Sequence, residues 1–314
     1  MRSSCPTVTV AIPCYKSEKT IGKVVRLSRE ELRGLGYATE FVLVDDCSGD
    51  GTYDEICRLA RESDDVFGIN LAKNSGQHAA IMCALHHVHG DIVVLMDDDM
   101  QTHPSQLRLM LEALTDDVDV VFGKYPRRKE ALWRRMGSAF WRWSMRVMTS
   151  CPRHIELTSF VAMRRRVVDE MVRYDGPYPV IQGLVFRATS HVVNADVQHF
   201  DREVGTSGYT LKALIRLWSN ILNFSMMPLR AATAIGSIMG IIGLISVVFL
   251  TIRKLMLPET PMGWSSTMVT LLTCSGLVIL TLGIVGEYVG RVFMTANRTP
   301  QFVERTTTDQ GEGA

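Results

Sequence analysis

The sequence predicts an α/β domain built on a mostly parallel sheet, followed by interfacial helices and two C-terminal transmembrane helices. Three observations carry that reading. Short apolar runs alternate with helical segments from Thr7 to about Gly123, polar clusters stand at the ends of several of those runs, and the last third holds two charge-free apolar stretches. Apolar strands separated by helices belong to a parallel sheet covered on both faces. In such sheets ligands bind beyond the carboxyl ends of the strands.

The elements follow in order. Val8–Ile12 reads as a strand and Glu18–Leu32 as a helix, then Glu40–Val44 as a strand and Thr52–Glu62 as a helix. A strand at Val66–Asn70, a helix over Gln77–Val88, a strand at Ile92–Met96, a helix over Pro104–Leu114 and a strand at Val118–Phe122 continue the series. Beyond Gly123 the chain becomes basic and aromatic. Leu132–Met148 mixes tryptophans with arginines, which suits a helix in a membrane interface or one packed on the sheet or on another subunit. Thr210–Met227 leads directly into the first apolar stretch and is expected to be interfacial.

Ala231–Ile252 is about 22 residues without a charge, enough to cross a hydrocarbon core about 30 Å thick, and Trp264–Gly286 is a second such stretch. The linker between them contains Pro258 and Pro261, which suit a turn. Lys212, Arg216 and Arg230 before the pair and Arg291, Arg298 and Arg305 after it outweigh Arg253 and Lys254 in the linker, so both flanks are expected in the cytosol. The domains are therefore 1–210 cytosolic, 211–230 interfacial, 231–252 and 264–286 spanning, and 287–314 a cytosolic tail. Gly236, Gly240, Gly243, Gly286 and Gly290 permit close helix packing, and a homo-oligomer is expected.

A formal charge of +1 argues against a nucleic-acid partner. Seven cysteines without a CxxC pair fit a reducing compartment, and no secretory signal is visible, so the chain is expected to start in the cytosol.

Three polar clusters fall at strand ends: Pro13–Glu18, Asp45–Thr52 and Asp97–Gln101. Side chains alternate along a strand, so Asp97 and Asp99 should share one side and Asp98 the other. Two carboxylates that close call for a hard cation such as Mg²⁺ or Mn²⁺, which commonly bridges to phosphates. A dinucleotide-binding dehydrogenase fails on local detail: the turn after the first strand has no GxGxxG, and there is no Walker loop. Carboxylates at strand ends suggest phosphates held through a metal.

These motifs resemble family 2 glycosyltransferases of the GT-A fold, in the membrane-anchored subgroup that moves a sugar from a nucleotide onto a polyprenyl phosphate such as undecaprenyl phosphate; the chain is also similar to dolichyl-phosphate mannose synthase. The likeness runs from about Thr7 to Glu304. It implies donor-contacting roles for Pro13, Tyr15, Glu18, Asp45, Asp46, Asn74, Gln77, His78, Asp97 and Asp98, and metal binding by Asp97 and Asp99. Gly76 belongs to the same Asn-x-Gly-Gln-His stretch, and Gln101 follows the acids as in relatives. The loop containing Arg202, Gly205, Ser207 and Tyr209 resembles one that handles phosphates; Arg202 and Asp99 are the implied catalytic residues, and Arg202, Ser207 and Tyr209 the acceptor-phosphate group. A bidentate arginine suits that task. Lys124, Arg127 and Arg128 are further candidates for guiding the acceptor, and Gln182 for touching the sugar. Lys16 and Ser17 receive no role.

One departure matters. Thr158–Met163 aligns with a family stretch whose second residue, an aspartate, is a proposed base; here it is Ser159, and Val161 replaces the arginine that follows. Serine alone is no general base at neutral pH. Glu156 is the neighbouring carboxylate. A phosphate monoester with a second pKa near ~6 is already largely an oxyanion, so the reaction survives the loss.

The implied activity is an inverting, metal-dependent transfer from a nucleotide-sugar, with UDP expected, to a polyprenyl phosphate at the cytosolic face of the inner (cytoplasmic) membrane, for cell-envelope glycan. A processive polysaccharide synthase would carry more spans and a Gln-x-x-Arg-Trp motif. A non-enzymatic membrane protein with a nucleotide-sensing domain would not require the metal carboxylates.

Overall fold

The computed structural model describes residues 5–125, 151–152, 154–198, 200, 227–256 and 263–310. The chain divides into two units, residues 1–221 with 298–314, and residues 222–297.

The first unit is organised by an eight-stranded sheet, and its first half follows the predicted alternation. Strands β1 (Thr7–Cys14), β2 (Ala38–Asp45), β3 (Val66–Leu71), β4 (Ile92–Leu95) and β5 (Val120–Lys124) alternate with helices α1 (Ile21–Gly34), α2 (Thr52–Glu62), α3 (Gln77–His86) and α4 (Leu107–Ala113). Then come β6 (Val161–Arg164), α5 (Arg165–Met171), α6 (Ile181–Ala188) and β7 (Val192–Asp196), and, after the second unit, β8 (Glu304–Thr307). The strand order is β7-β5-β6-β4-β1-β2-β3-β8. β1 pairs in parallel with β2 and β4, β2 with β3, and β5 with β7, while β6 and β8 run antiparallel to their neighbours.

Burial explains the strand sequences. Val8 through Cys14 are buried without interruption, as are Phe41 through Asp45, because helices cover both faces of the sheet. α1 buries Ile21, Val24, Val25, Ser28 and Leu32, a stripe at helical spacing. α3 differs, since Ala79 through Leu85 are all buried and the helix is apolar all round. Phe41, Phe122 and Phe160 are among the largest fully buried side chains; truncating any one to alanine costs about 3–5 kcal/mol.

β8 is the main departure from the sequence reading, which treats 287–314 as a tail. Ile69 pairs with Thr307 and Asn70 with Thr306, closing the β3 edge. Its polar sequence, Glu-Arg-Thr-Thr, lacks an apolar signature because an edge strand buries little.

The second unit holds two long helices, α7 (Met227–Met256) and α8 (Trp264–Ala296), which contact one another. Both are longer than the predicted spans. α7 begins inside the segment read as interfacial, with Pro228 in its first turn where a missing N–H costs nothing. α8 runs ten residues beyond Gly286, through Glu287 and Arg291, because nothing breaks it before Asn297. Among the described residues one stretch, Cys274–Ala296, is long and apolar enough by length and composition to cross a membrane. It begins later than the predicted second span, whose first turns carry Ser265, Ser266, Thr267 and Thr270. Exposed Ile238, Ile242, Ile245 and Phe249 on α7 and Ile279, Leu282 and Phe293 on α8 give the unit an apolar exterior.

Candidate active site

Strand register assembles the site. β1 and β2 align Cys14 with Asp45, so the next residues, Tyr15 and Asp46, emerge side by side. β1 and β4 align Ala11 with Leu95, which carries the acidic triplet to the turn after Cys14. β4 and β6 align Leu95 with Val161 in antiparallel sense, so two steps further the chain sets Asp97 opposite Ser159. A cavity of about 850 Å³ opens at these ends, lined by Pro13, Tyr15, Lys16, Ser17, Glu18, Asp46, Asn74, Gly76, Gln77, Asp97, Asp98 and Asp99 among others. Eight of the sequence-predicted donor residues therefore share one wall: Pro13, Tyr15, Glu18, Asp46, Asn74, Gln77, Asp97 and Asp98.

The turns that build it are backbone-strained. Lys16, Cys47 and Met100, one in each polar cluster, have φ of 59°, 54° and 61°. Non-glycine residues seldom occupy that region, and such conformations gather at functional sites. Gly76, with φ 90° and ψ 157°, caps α3 in a conformation open essentially to glycine alone.

The three aspartates divide by contact. Asp98 accepts from the Tyr15 N–H at 3.1 Å and from the Ser17 hydroxyl, so it braces the β1 turn. Burial raises its pKa, with the Asp99 charge adding to the effect and the Ser17 and Tyr15 bonds opposing it. Asp97 accepts from Gln77 Nε2 at 2.7 Å and from the Ser159 hydroxyl. Asp99 accepts from the Gln101 N–H at 3.0 Å. Burial, together with the charges of both Asp97 and Asp99, pushes the Tyr125 phenol up; its hydroxyl lies 2.6 Å from Thr102 Oγ1. The triplet lies just beyond β4, so the division is one of contacts: Asp97 and Asp99 both bear on Tyr125, while Asp98 holds the turn after β1. Two hard carboxylates on a cavity wall are a donor set that fits Mg²⁺ or Mn²⁺.

The acidic pair after β2 also divides. Asp46 lines the cavity and accepts from the Ser75 N–H at 2.6 Å and the Gly76 N–H at 2.9 Å, while its carbonyl takes Asn74 Nδ2 at 3.2 Å. Asp45 is buried off the cavity and accepts from Ser48, whose N–H lies 3.2 Å from Oδ1. Burial raises both pKa values. Asp45 therefore shapes the turn from behind.

His78 lies outside the cavity lining. Its Nδ1 is buried with no hydrogen-bond partner among the described residues, and burial lowers the imidazole from 6.5 to about 4, so the ring is neutral at pH 7. An unfolded chain takes up that proton first as pH falls; the neutral ring's contribution is complete above about pH 6.5 and is lost toward pH 4. Between pH 7 and pH 5 we expect this group to remove on the order of 2 kcal/mol from the wild type. Denaturation midpoints should fall less over that range for His78→Gln, and equal falls would contradict the assignment.

Other candidates take structural partners. Lys124 pairs with Asp196 at 3.2 Å, the Glu156 N–H donates to Asn194 at 2.8 Å, and Gln182 Nε2 reaches the Thr158 carbonyl at 3.5 Å. Arg127, Arg128, Arg202, Gly205, Ser207 and Tyr209, with the helices read at 132–148 and 210–227 apart from the Met227 end of the second, lie outside the described residues. Ser17 is a site residue the sequence reading passes over: its side chain serves Asp98 and its N–H donates to Thr52 Oγ1 at 2.8 Å. Tyr125, just past the end of β5, lies outside the cavity lining but feels the charges of Asp97 and Asp99.

Residues 9–172 match the family model "Glycosyl transferase family 2". The chain belongs to that family and is a glycosyltransferase. It is 28% identical over 302 residues to the undecaprenyl-phosphate 4-deoxy-4-formamido-L-arabinose transferases of Salmonella paratyphi B and Salmonella newport, covering 94% of this chain and 91% of theirs. Among solved structures, glucosyl-3-phosphoglycerate synthase of Mycobacterium tuberculosis with Mn²⁺, UDP-glucose and phosphoglyceric acid is 17% identical, with a TM-score of 0.48 over 69% of this chain and 79% of that one. A mannosyltransferase of Pyrobaculum calidifontis with GDP-Man and Mn²⁺ is 20% identical, with a TM-score of 0.48 over 70% and 63%.

Proposed function

We propose that this glycosyltransferase moves a sugar from a nucleoside-diphosphate donor, UDP-linked by family resemblance, to a polyprenyl phosphate, with inversion, at the cytosolic face of the cytoplasmic membrane. The observation that carries the reading is the acid-walled cavity at the carboxyl ends of β1, β2 and β4, with Asp97, Asp98 and Asp99 in its lining. The likeness to undecaprenyl-phosphate transferases along nearly the whole chain supports the acceptor. The apolar exteriors of α7 and α8 support two spans holding the enzyme at the lipid surface.

Asp97 and Asp99 would hold a divalent cation, Mg²⁺ or Mn²⁺. When bound, that ion neutralises charge on the departing nucleotide. Tyr15, Glu18, Asn74 and Gln77 line the space for the donor, and Asp46 ties the Asn74–Gly76 turn to the end of β2. A phosphate oxygen of the acceptor forms the new bond to the anomeric carbon as the bond to the nucleoside diphosphate breaks. Ser159 donates to Asp97, so it orients a carboxylate and takes no proton. The acceptor needs no base, because its phosphate is an oxyanion at neutral pH. Arg202, Ser207 and Tyr209 take the acceptor phosphate by resemblance.

The test is the full-length protein with a polyprenyl phosphate, Mn²⁺ and a panel of nucleotide sugars. We expect glycolipid from one donor and none without the lipid. Equal transfer to a soluble phosphate acceptor would overturn the lipid assignment.

A further inference from the structure

At the opposite end of α3 from Gln77, three side chains of metal-ligating type converge. Cys83 and His87 are four residues apart, which puts them on one helix face; Cys83 is fully buried. Glu304 reaches them from β8, its Oε1 2.9 Å from His87 Nε2 and 3.6 Å from Cys83 Sγ. All three ligand atoms lie within 4.8 Å of one another. A tetrahedral zinc about 2.0–2.3 Å from such ligands spaces them roughly 3.3–3.7 Å apart, so only small adjustments separate this arrangement from a chelate.

The three are held by different parts of the fold. Cys83 sits on the buried helix, and the His87 ring packs on Phe67 with centroids 5.2 Å apart. Glu304 is set opposite Leu71, where the ladder shifts register after Asn70, and the neighbouring Val303 carbonyl accepts from the Ala72 N–H at 2.8 Å. A register shift of this kind re-aims a side chain. His86 turns its ring to Phe302, centroids 5.9 Å apart. His87 and Glu304 remain 29% and 32% exposed, which leaves an ion a route in and a fourth position for water.

We propose that Cys83, His87 and Glu304 form a second metal site, selective for Zn²⁺ or a similar borderline divalent ion. A thiolate, an imidazole and one carboxylate select such an ion, whereas the all-oxygen set at Asp97 and Asp99 selects a hard one. Binding forms sulfur, nitrogen and oxygen bonds to the metal and releases the thiol proton to solvent. The ion fastens β8 to α3, the helix whose first residue, Gln77, and cap, Gly76, line the donor cavity.

The experiment titrates metal-free, tag-free full-length protein with Co²⁺ as the probe. We expect a thiolate-to-cobalt charge-transfer band with tetrahedral ligand-field bands, saturating at one equivalent and erased by Zn²⁺. Cys83→Ser should lose the charge-transfer band, and Glu304→Gln should weaken Co²⁺ binding at least about tenfold. A wild type without the band, or a Cys83→Ser protein that keeps it, overturns the proposal. Should Cys83→Ser fail to fold, unchanged Co²⁺ affinity in Glu304→Gln overturns it equally.

Discussion

Replacing Asp97 or Asp99 by asparagine is expected to lower glycosyl transfer by about 10²–10³-fold, equivalent to about 3–4 kcal/mol of transition-state stabilisation. The substitution keeps shape and removes charge, so it isolates the electrostatic role. At Asp97 the loss is compounded. Its carboxylate accepts from both Gln77 and Ser159, and an amide offers only one acceptor atom to those two partners. At Asp99 the Oδ1 bond from the Gln101 N–H survives in asparagine, so what changes there is the charge on the cavity wall. Both variants should need far more Mn²⁺ for half-maximal rate. Asp98→Asn should behave differently, because Asp98 acts on the turn at Tyr15 and Ser17, so stability falls alongside donor binding. Initial rates of glycolipid formation against Mn²⁺ concentration decide the matter. Activity within about threefold of wild type in Asp99→Asn would sink the metal assignment.

How much of this was legible beforehand depends on how local the signal is. The strands through Val120–Lys124 declare themselves because burial on both faces demands unbroken apolar runs, and each run is a signal complete within its own few consecutive residues. The cavity followed, since a parallel sheet presents all its carboxyl ends together. The partnership of Ser159 with Asp97 was not legible, because it depends on the antiparallel register of β6, which no local pattern encodes. Ser17 and Thr52 were passed over for a related reason: a small hydroxyl is ordinary in a turn until its partner is known. β8 stayed hidden because its polar edge sequence follows long apolar helices and reads as a tail. The Cys83, His87 and Glu304 cluster was hidden with it, since the third member is supplied by β8. His78 illustrates the converse. A motif likeness put it beside the donor, but its position on α3, among residues buried from Ala79 onward, draws its ring nitrogen into the protein and off the cavity wall.

The acidic pair after β2 gives the second large effect, and it separates two residues that the sequence treats alike. In Asp46→Asn, one carboxylate oxygen becomes an NH₂ group that faces a backbone N–H, because the two oxygens take the Ser75 and Gly76 amides separately. A donor then meets a donor, and a charge-assisted bond worth about 1.5–3 kcal/mol is lost. The turn it anchors carries Asn74 and leads into Gln77, which reaches Asp97, so the disturbance passes along the cavity wall. We expect donor affinity to fall about 10–100-fold, the same energy expressed as binding. In Asp45→Asn the single oxygen that takes both the shorter Ser48 N–H contact and the Ser48 hydroxyl remains an acceptor. Donor affinity should then change by less than about threefold, with any cost within about 1 kcal/mol of stability. Direct titration of each variant with nucleotide measures the contrast. If Asp45→Asn proves the more damaging, it is Asp45 that faces the nucleotide, and the division of the pair drawn from their hydrogen bonds is reversed.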